Sequence, residues 1–521
     1  MAVMQNMHTR IDFNDIENLD LDESPKFNIV LSISNNLSYE TMLDCKKQLE
    51  AQVNGNVEIH LKNNQNLRAA DNARTLEVLI HAPVRFDPKF LEYVLRVFIE
   101  TDTALLYSDF KLEKNGVTEY IALPAWSPIR YESIDYLGPV IVLDLDKLQR
   151  DSNSPKSRES AIQKSQEDYT RISRLPRYAY TCEMFEATTK PLEVSITQPD
   201  LISIIIPTKG LSDGKNSLLE RCLNSVAKQK VDPRVEVIVV ADTGFEPEVI
   251  RKSQELLPTN WTFKFIEFNE PFNFSKKCNL GAKAASGEVL IFLNDDVEII
   301  SEDAISKLAD LSLRAGAGAV GSQLKFSDGS IQHGGITLQD VKPRNSYLDQ
   351  FPHSTFTGDL EVSHEVSAVT GACLVISKSN FDLCGGWNEE LHNSYNDVDL
   401  CLRLNQMGLQ TIVRNDLDVL HHESVTRDSS FDEESFVKLK SLWPADLGNE
   451  QYLRSPEALG IGYQGTLGIN KGLRVELSGK YFQYLLHLLK SQGLIRTIDT
   501  FSRRISGKTS NLLRFESKSY L

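Results

Sequence analysis

Residues 289–296 read VLIFLNDD: five apolar residues run into an asparagine and two adjacent aspartates. The apolar run predicts a buried strand. Two further apolar strands and an intervening helix are predicted upstream, at LISIIIPT (201–208), NSLLERCLNSVAKQ (216–229) and VEVIVVAD (235–242). Apolar strands that alternate with helices predict an α/β domain in which helices cover both faces of a parallel sheet.

Polar residues stand at the carboxyl ends of these strands. Asp242 ends one strand, and Asn294, Asp295 and Asp296 end another. Because the carboxyl ends of parallel strands meet at one edge of the sheet, where ligands bind, we expect these side chains to share a site. Adjacent carboxylates repel each other, and a divalent cation relieves that repulsion. Taken alone, Asp242 fits a turn-forming role equally well.

Two later segments add acids and histidines. Asp397 and Asp399 stand at the start of a predicted amphipathic helix, where acidic residues also serve as ordinary caps. His421 and His422 follow a short apolar strand, and a histidine pair at a strand end is a candidate metal ligand. The pattern leaves open which of the two histidines would bind.

Composition narrows the class of protein. The chain has 521 residues and a formal net charge of −16, so we expect two or three domains and no general affinity for nucleic acids. Seven scattered cysteines without a CxxC pair indicate a reducing compartment. The acidic N-terminal residues are unlike a secretory signal, and no apolar run of about 20 residues is present. We expect a cytoplasmic protein, either free or peripheral on the cytoplasmic face of a membrane.

Seven motifs resemble the family-2 glycosyltransferases with a GT-A fold. They lie in the same order as in that family: IPTKG (206–210), VVADTG (239–244), FLNDDVE (292–298), TGACLVI (370–376), GGWNEEL (385–391), YNDVDLCLR (395–403) and HHESVTR (421–427). IQHGGI (331–336) further resembles the subset that builds bacterial surface polysaccharides, including rhamnosyl- and galactofuranosyl-transferases. The resemblance implies a Rossmann-like mixed, mostly parallel sheet with flanking helices.

The resemblance also implies a donor and a metal. The donor would be a UDP- or dTDP-sugar, and the metal would be Mn²⁺ or Mg²⁺ on the DxD-type motif. Residues implied to bind the nucleotide are Pro207, Thr208, Asp242, Asn294 and Asp295. Residues implied to bind the metal are Asp296 and either His421 or His422. The family's motif often begins with aspartate, whereas this chain has Asn294, so its metal dependence is less firmly implied.

On the acceptor side, the resemblance implies one base and several contacts. Asp397 would be the general base that activates the acceptor hydroxyl in an inverting displacement. Gly385, Gly386, Trp387 and Asp399 would shape the acceptor site, with the Trp387 ring stacked on a sugar. The alternative for Trp387 is an ordinary place in the hydrophobic core.

The first half resembles a degenerate copy of the same domain. Its strand NIVLSISNN (28–36) parallels SIIIPTKG, but His81, Ala82 and Pro83 stand where the acidic motif is expected. We therefore predict no transferase activity there, and roles in scaffolding, dimer contacts or acceptor binding. The alternative is an unusual catalytic site that needs no metal. The predicted boundaries are a disordered segment (1–24), the degenerate domain (25–185), a linker (186–200), the catalytic domain (201–430) and a helical tail (431–521).

The tail is basic, with ten Lys or Arg and three Asp or Glu from residue 471 onward. Its amphipathic stretch at 481–505 predicts either contact with an anionic membrane or packing as a helix on the protein. The expected function is sugar transfer to a polysaccharide or lipid-linked glycan. The alternatives are a non-catalytic carbohydrate-binding or scaffold protein, and a nucleotidyltransferase, which normally carries a glycine-rich loop after its first strand.

Overall fold

The protein is described from a computed structural model. The structure covers residues 26–453, apart from gaps at 35, 54–55, 63–72, 115, 149–157, 159, 161, 163–171, 191–197, 211–216, 232–233, 340–341 and 423–431, and three strands between 465 and 517. The chain divides into two compact units, Met1–Leu192 and Glu193–Leu521, each described by itself. The segment predicted to be disordered (1–24) and the basic amphipathic stretch (481–505) lie outside the described residues.

The first unit contains a six-stranded mixed sheet and a four-stranded sheet. Its strands are β1 (Phe27–Ile33), β2 (Val57–Leu61), β3 (Arg74–Ile80), β4 (Val84–Phe86), β5 (Leu105–Ser108), β6 (Phe110–Lys114), β7 (Val117–Ile121), β8 (Ile134–Asp135), β9 (Val140–Asp144), β10 (Ile172–Leu175), β11 (Tyr180–Cys182) and β12 (Thr188–Thr189). Its helices are α1 (Tyr39–Glu50), α2 (Phe90–Glu100), α3 (Pro128–Ser133) and α4 (Leu145–Leu148). The sheet orders are β10-β5-β9-β3-β1-β2 and β4-β11-β6-β7, and β8 pairs with β12.

The second unit contains a larger, eight-stranded mixed sheet. Its strands are β13 (Leu201–Thr208), β14 (Arg234–Asp242), β15 (Thr262–Phe268), β16 (Val289–Leu293), β17 (Val297–Ile299), β18 (Ala317–Ser322), β19 (Leu324–Lys325), β20 (Ile331–His333), β21 (Ile336–Thr337), β22 (Arg344–Asn345), β23 (His364–Glu365), β24 (Cys373–Ser377), β25 (Gln410–Arg414) and β26 (Val419–His421), followed by β27 (Gly465–Asn470), β28 (Leu473–Leu477) and β29 (Phe515–Ser517). Its helices are α5 (Leu218–Ala227), α6 (Pro247–Glu255), α7 (Phe274–Ala284), α8 (Ala304–Leu313), α9 (Lys378–Leu383), α10 (Asn396–Gln406) and α11 (Glu433–Leu442).

The strand order of this sheet is β15-β14-β13-β16-β24-β18-β25-β23, and a smaller sheet has the order β17-β26-β19-β20. The neighbours β15, β14, β13 and β16 are parallel, whereas β24 is antiparallel to both of its neighbours. The predicted strands at 201–208, 235–242 and 289–293 are confirmed, and every residue of β16 is buried. None of the described helices is long and apolar enough to cross a membrane.

The two units share one arrangement of strands. In the larger sheets, β2-β1-β3-β9-β5-β10 has the same order and directions as β14-β13-β16-β24-β18-β25. The smaller sheets, β4-β11-β6-β7 and β17-β26-β19-β20, also correspond. Their register pairs Val84 with Cys182 in the first unit and Val297 with His421 in the second. Cys182 therefore has the position in its sheet that His421 has in the other.

Candidate active site

A cleft opens at the carboxyl ends of β13 and β16 in the second unit. Its walls come from these strand ends, the start of α7, the turn before β24, the start of α10 and the end of β26. Seven residues that the sequence singled out line it: Pro207, Thr208, Asn294, Asp295, Asp296, Asp397 and His421. The fold therefore brings together segments that are more than two hundred residues apart in the chain.

Asp296 and His421 face each other in the cleft. Oδ1 of Asp296 lies 3.1 Å from Nε2 of His421, and both side chains are largely buried. They meet because β17, which begins directly after Asp296, pairs with β26 at His421. Burial alone would raise the pKa of Asp296, but the hydrogen bond and charge of His421 outweigh burial, and the pKa is lowered.

The spacing of these two donors fits a single cation. Metal–oxygen distances of about 2.1 Å place neighbouring ligands of an octahedral ion about 3.0 Å apart, close to the 3.1 Å observed here. Within the described residues, no group of three His, Cys, Asp or Glu side chains is placed to hold a metal. Two protein ligands nevertheless suit Mg²⁺ or Mn²⁺, because such ions commonly keep waters and take further oxygens from a bound phosphate.

Asp295 has a different environment from its neighbour. Its carboxylate accepts a hydrogen bond from the hydroxyl group of Thr208, at the end of β13. Burial, with a smaller contribution from the charge of Asp296, raises the pKa of Asp295 to about 6. Since Asp295 is already engaged with Thr208, Asp296 is the carboxylate of the pair that faces the histidine.

A buried lysine joins the ends of β13 and β14. Nζ of Lys277 lies 2.5 Å from Oδ1 of Asp242 and donates a hydrogen bond of 2.8 Å to the carbonyl oxygen of Thr208. Lys277 is fully buried and lines the cleft, whereas Asp242 is partly exposed. Burial lowers the pKa of Lys277 against the opposing effect of Asp242. The ion pair connects Asp242 to the cleft, although Asp242 is not among its lining residues.

Asp397 is held in place at the start of α10. Its Oδ2 accepts a hydrogen bond of 3.0 Å from the N–H of Gly371, and its Oδ1 accepts one of 2.8 Å from the N–H of Val398. Tyr395, just before the helix, has φ of 62°, which is uncommon for a residue with a Cβ atom. The carboxylate is therefore fixed against the Thr-Gly-Ala turn on the side of the cleft formed by α10.

His422 does not join the predicted metal site. Its Nε2 lies 3.0 Å from Oε2 of Glu298, and its Nδ1 lies 3.3 Å from the hydroxyl oxygen of Ser327. Successive residues of a strand point to opposite faces, so only one of the two histidines can face Asp296. The sequence left open which of the two histidines faces the acidic motif. In the structure His421 lies in the cleft and His422 does not line it.

The four residues predicted to shape the acceptor site do not line the cleft. Trp387 is 2% exposed and makes T-shaped contacts with Phe274 and Phe292, so its ring is buried in the core and the predicted stacking on a sugar is wrong. Asp399 is buried, where it pairs with Arg403 and accepts a hydrogen bond from Nε1 of Trp443.

Gly385 and Gly386 form the turn after α9. Both have positive φ, and a Cβ atom at Gly386 would lie 2.8 Å from the side-chain oxygen of Asn279. The sequence pattern at 385–387 is therefore explained by a tight turn that is followed by a core tryptophan, rather than by contact with an acceptor.

The lining residues that were not predicted from the sequence as site residues include Lys277, Gln332 and His333. Gln332 and His333 belong to IQHGGI, which was noted only for its resemblance to a subfamily. Lys277 lies in a helical segment whose spacing favours an amphipathic helix and gives no sign of a buried cation. A basic residue in the helix that follows the third strand of such a sheet, here α7 after β15, is the signal that could have found it.

Residues 203–383 match the family model described as glycosyl transferase family 2. That part of the chain is a family-2 glycosyltransferase domain, which confirms the prediction from the motifs. The matched residues include the acidic motif after β16, while Asp397 and His421 lie beyond them.

Three curated relatives are similar to the chain. An uncharacterized protein, y4gI, of Sinorhizobium fredii is 34% identical over 230 residues, which are 44% of this chain and 25% of that protein. The O-antigen biosynthesis protein RfbC of Myxococcus xanthus is 31% identical over 229 residues, 43% of this chain and 18% of the relative. The N-acetylglucosaminyl-diphospho-decaprenol L-rhamnosyltransferase of Mycobacterium tuberculosis is 28% identical over 205 residues, 36% and 64% of the two chains.

The chain thus spans about a quarter of the first relative's length and less than a fifth of the second's. Among solved structures, a crystal structure of GalNAc-T7 with UDP, GalNAc and Mn²⁺ matches with a TM-score of 0.40 and 15% identity, over 52% of this chain and 50% of that one. A likeness at this level supports no conclusion about chemistry.

Proposed function

We propose that the second unit is an inverting glycosyltransferase that moves a sugar from a nucleoside diphosphate donor to a hydroxyl group of a polysaccharide or lipid-linked glycan. The observation that carries this proposal is that one cleft of a family-2 domain contains a carboxylate–histidine pair, Asp296 with His421, and a separate fixed carboxylate, Asp397. The printed names of two relatives, for O-antigen biosynthesis and L-rhamnosyl transfer, support an acceptor of the cell-surface type.

Asp296 and His421 would hold Mn²⁺ or Mg²⁺ in this proposal. Their spacing suits neighbouring positions around one ion, and phosphate oxygens of the donor would complete its coordination. When bound, the ion would supply the positive charge that neutralises the departing diphosphate.

The donor nucleotide would lie along the ends of β13, β14 and β16, against Pro207, Thr208, Asn294 and Asp295. In this proposal the Asp242–Lys277 ion pair would contact the base of the UDP- or dTDP-sugar. A carboxylate beside an ammonium group offers one hydrogen-bond acceptor and one donor, and uracil and thymine present the complementary imide N–H and carbonyl groups.

Asp397 would take the proton of the acceptor hydroxyl. Both of its oxygens already accept backbone N–H bonds, which hold the carboxylate in one orientation. A carboxylate oxygen has two lone pairs, so an oxygen that accepts one backbone N–H bond can also accept a hydrogen bond from the acceptor hydroxyl. Positioned general bases of this kind contribute about 10²- to 10⁴-fold to a reaction rate.

We infer that the first unit is a degenerate GT-A-like copy without activity of its own. It has the strand arrangement of the second unit, but Pro83 and Cys182 have the positions of Asp296 and His421. A proline side chain has no atom that can bind a metal ion, so the first unit lacks the carboxylate–histidine pair at these two positions. Scaffolding, acceptor binding or homodimer contacts are the roles we propose, with peripheral membrane contact through the basic tail.

The test is release of nucleoside diphosphate from a panel of UDP- and dTDP-sugars, with acceptor fractions of lipid-linked glycan, in Mn²⁺ or in EDTA. We expect release that depends on Mn²⁺ and falls about 10²- to 10⁴-fold in Asp397→Asn. Binding of sugar nucleotides without any release would instead support a non-catalytic carbohydrate-binding protein. Full activity in Asp397→Asn would contradict the assigned base.

A further inference from the structure

Gln332 is a buried side chain that the proposed reaction does not use. It lies in β20, is 2% exposed, and lines the cleft next to His421. Its Oε1 is 2.7 Å from Nδ1 of His421. Strands β20 and β26 are both neighbours of β19, so the two side chains meet across the strand that separates them.

This contact favours a proton on Nδ1 of His421. An amide oxygen has no hydrogen to give, so Nδ1 of the imidazole must carry the proton and donate it to Gln332. In a neutral imidazole the lone pair then lies on Nε2, the atom that faces Oδ1 of Asp296 at 3.1 Å.

Two lone-pair atoms at that distance repel each other unless a positive charge lies between them. In the absence of metal, that charge is a second proton on Nε2, which makes His421 an imidazolium that donates to Asp296 and lowers its pKa. A cation that is bound by both atoms satisfies this requirement. If the imidazole instead carried its proton on Nε2, it would donate directly to Asp296 and fill the place of the cation.

We propose that Gln332 is a positioning residue, which holds His421 in the tautomer that presents an unprotonated Nε2 to a divalent cation shared with Asp296. The inference rests on the proposed function, because that function supplies the cation. It adds a residue outside the acidic and histidine motifs, and it gives one reason for the glutamine in IQHGGI.

The test measures Mn²⁺ binding to the full-length protein by electron paramagnetic resonance, with saturating UDP and, separately, with dTDP. Gln332→Leu and Gln332→Met both remove the acceptor, and Gln332→Glu keeps one. Gln323→Leu is the matched control, because Gln323 is equally buried at 1% exposure but is not among the lining residues of the cleft. Conclusions are drawn from those variants whose melting temperature matches that of the wild type.

We expect Mn²⁺ to bind about 10- to 100-fold more weakly in the leucine and methionine variants, the usual effect of losing a partner of a metal-bound histidine. Affinity in Gln332→Glu and Gln323→Leu should stay within about threefold of the wild type. Electron spin echo modulation from a histidine nitrogen should be present in the wild type and in Gln332→Glu, and it should be lost or weakened in Gln332→Leu. If Gln332 had only a structural role, this nitrogen signal would be the same in Gln332→Leu as in the wild type.

Equal Mn²⁺ affinity and an intact nitrogen signal in a folded leucine or methionine variant would overturn the role of Gln332 and leave the proposed function standing. Failure of the wild-type protein to bind Mn²⁺ with either nucleotide would overturn the metal site itself, and the inference with it. The two failures are thus distinguishable by the wild-type titration alone.

Discussion

Replacement of Trp387 by alanine should destabilise the second unit strongly. The indole is 2% exposed and packs between Phe274 and Phe292, at ring-centroid distances of 5.6 and 5.2 Å. A buried tryptophan removes about 200 Å² from water, which at about 25 cal/mol per Å² corresponds to about 5 kcal/mol. Partial relaxation around the cavity brings the expected loss to about 3–5 kcal/mol.

Trp387→Phe provides the matched control for this change. Nε1 of Trp387 has no hydrogen-bond partner among the described residues, so phenylalanine loses packing but no hydrogen bond. We expect a cost of about 1.5 kcal/mol, from about 60 Å² less buried area. Because Gly371, which holds Asp397, packs against the indole, the phenylalanine variant should keep that turn in place and keep its activity.

Scanning calorimetry of the full-length variants measures the stability, and the release assay gives kcat and KM for the acceptor. A core role predicts a lower melting temperature for both variants and an unchanged acceptor KM for Trp387→Phe. The reasoning is refuted if Trp387→Ala melts like the wild type while the acceptor KM rises, since that is the behaviour of an exposed stacking platform.

Three further predictions concern named side chains. His421→Ala should weaken Mn²⁺ binding at least tenfold, whereas His422→Ala should change it less than threefold, as measured by titration with Mn²⁺ and UDP. Lys277→Met should weaken UDP or dTDP binding about tenfold by calorimetry, because it removes a buried donor. Burial alone would raise the pKa of Glu236, but hydrogen bonds from Lys264 and neighbouring groups lower it below 4.5. Its contribution to stability should therefore be present above about pH 4.5 and be lost below it in urea titrations, and Glu236→Gln should flatten that dependence.

The sequence was sufficient for the parts of the fold that rest on local patterns. VLIFL is apolar throughout because β16 is covered on both faces, and the acids that follow it lie at the strand end as expected. Thr208 and Asp397, which the family resemblance assigned to the site, also line the cleft. In each case the residue's position follows from the end of a strand or the start of a helix.

The residues that were misassigned or missed depend on partners far away in the chain. Trp387 is a core residue because it packs against Phe274 and Phe292. No feature of GGWNEEL predicts those contacts. The importance of Gln332 arises only when β20 comes near His421, 89 residues later. The spacing of residues along the chain does not predict such contacts, because they depend on the order of strands in the smaller sheet.

The most direct test of the central claim is calorimetric titration of UDP and dTDP into the wild-type protein and Asp296→Asn, each in Mn²⁺ and in EDTA. We predict that the wild type binds one of the nucleotides at least tenfold more tightly with Mn²⁺ than with EDTA, and that Asp296→Asn loses this difference. Equal affinity of the wild-type protein with and without the metal would contradict a cation held by Asp296 and His421.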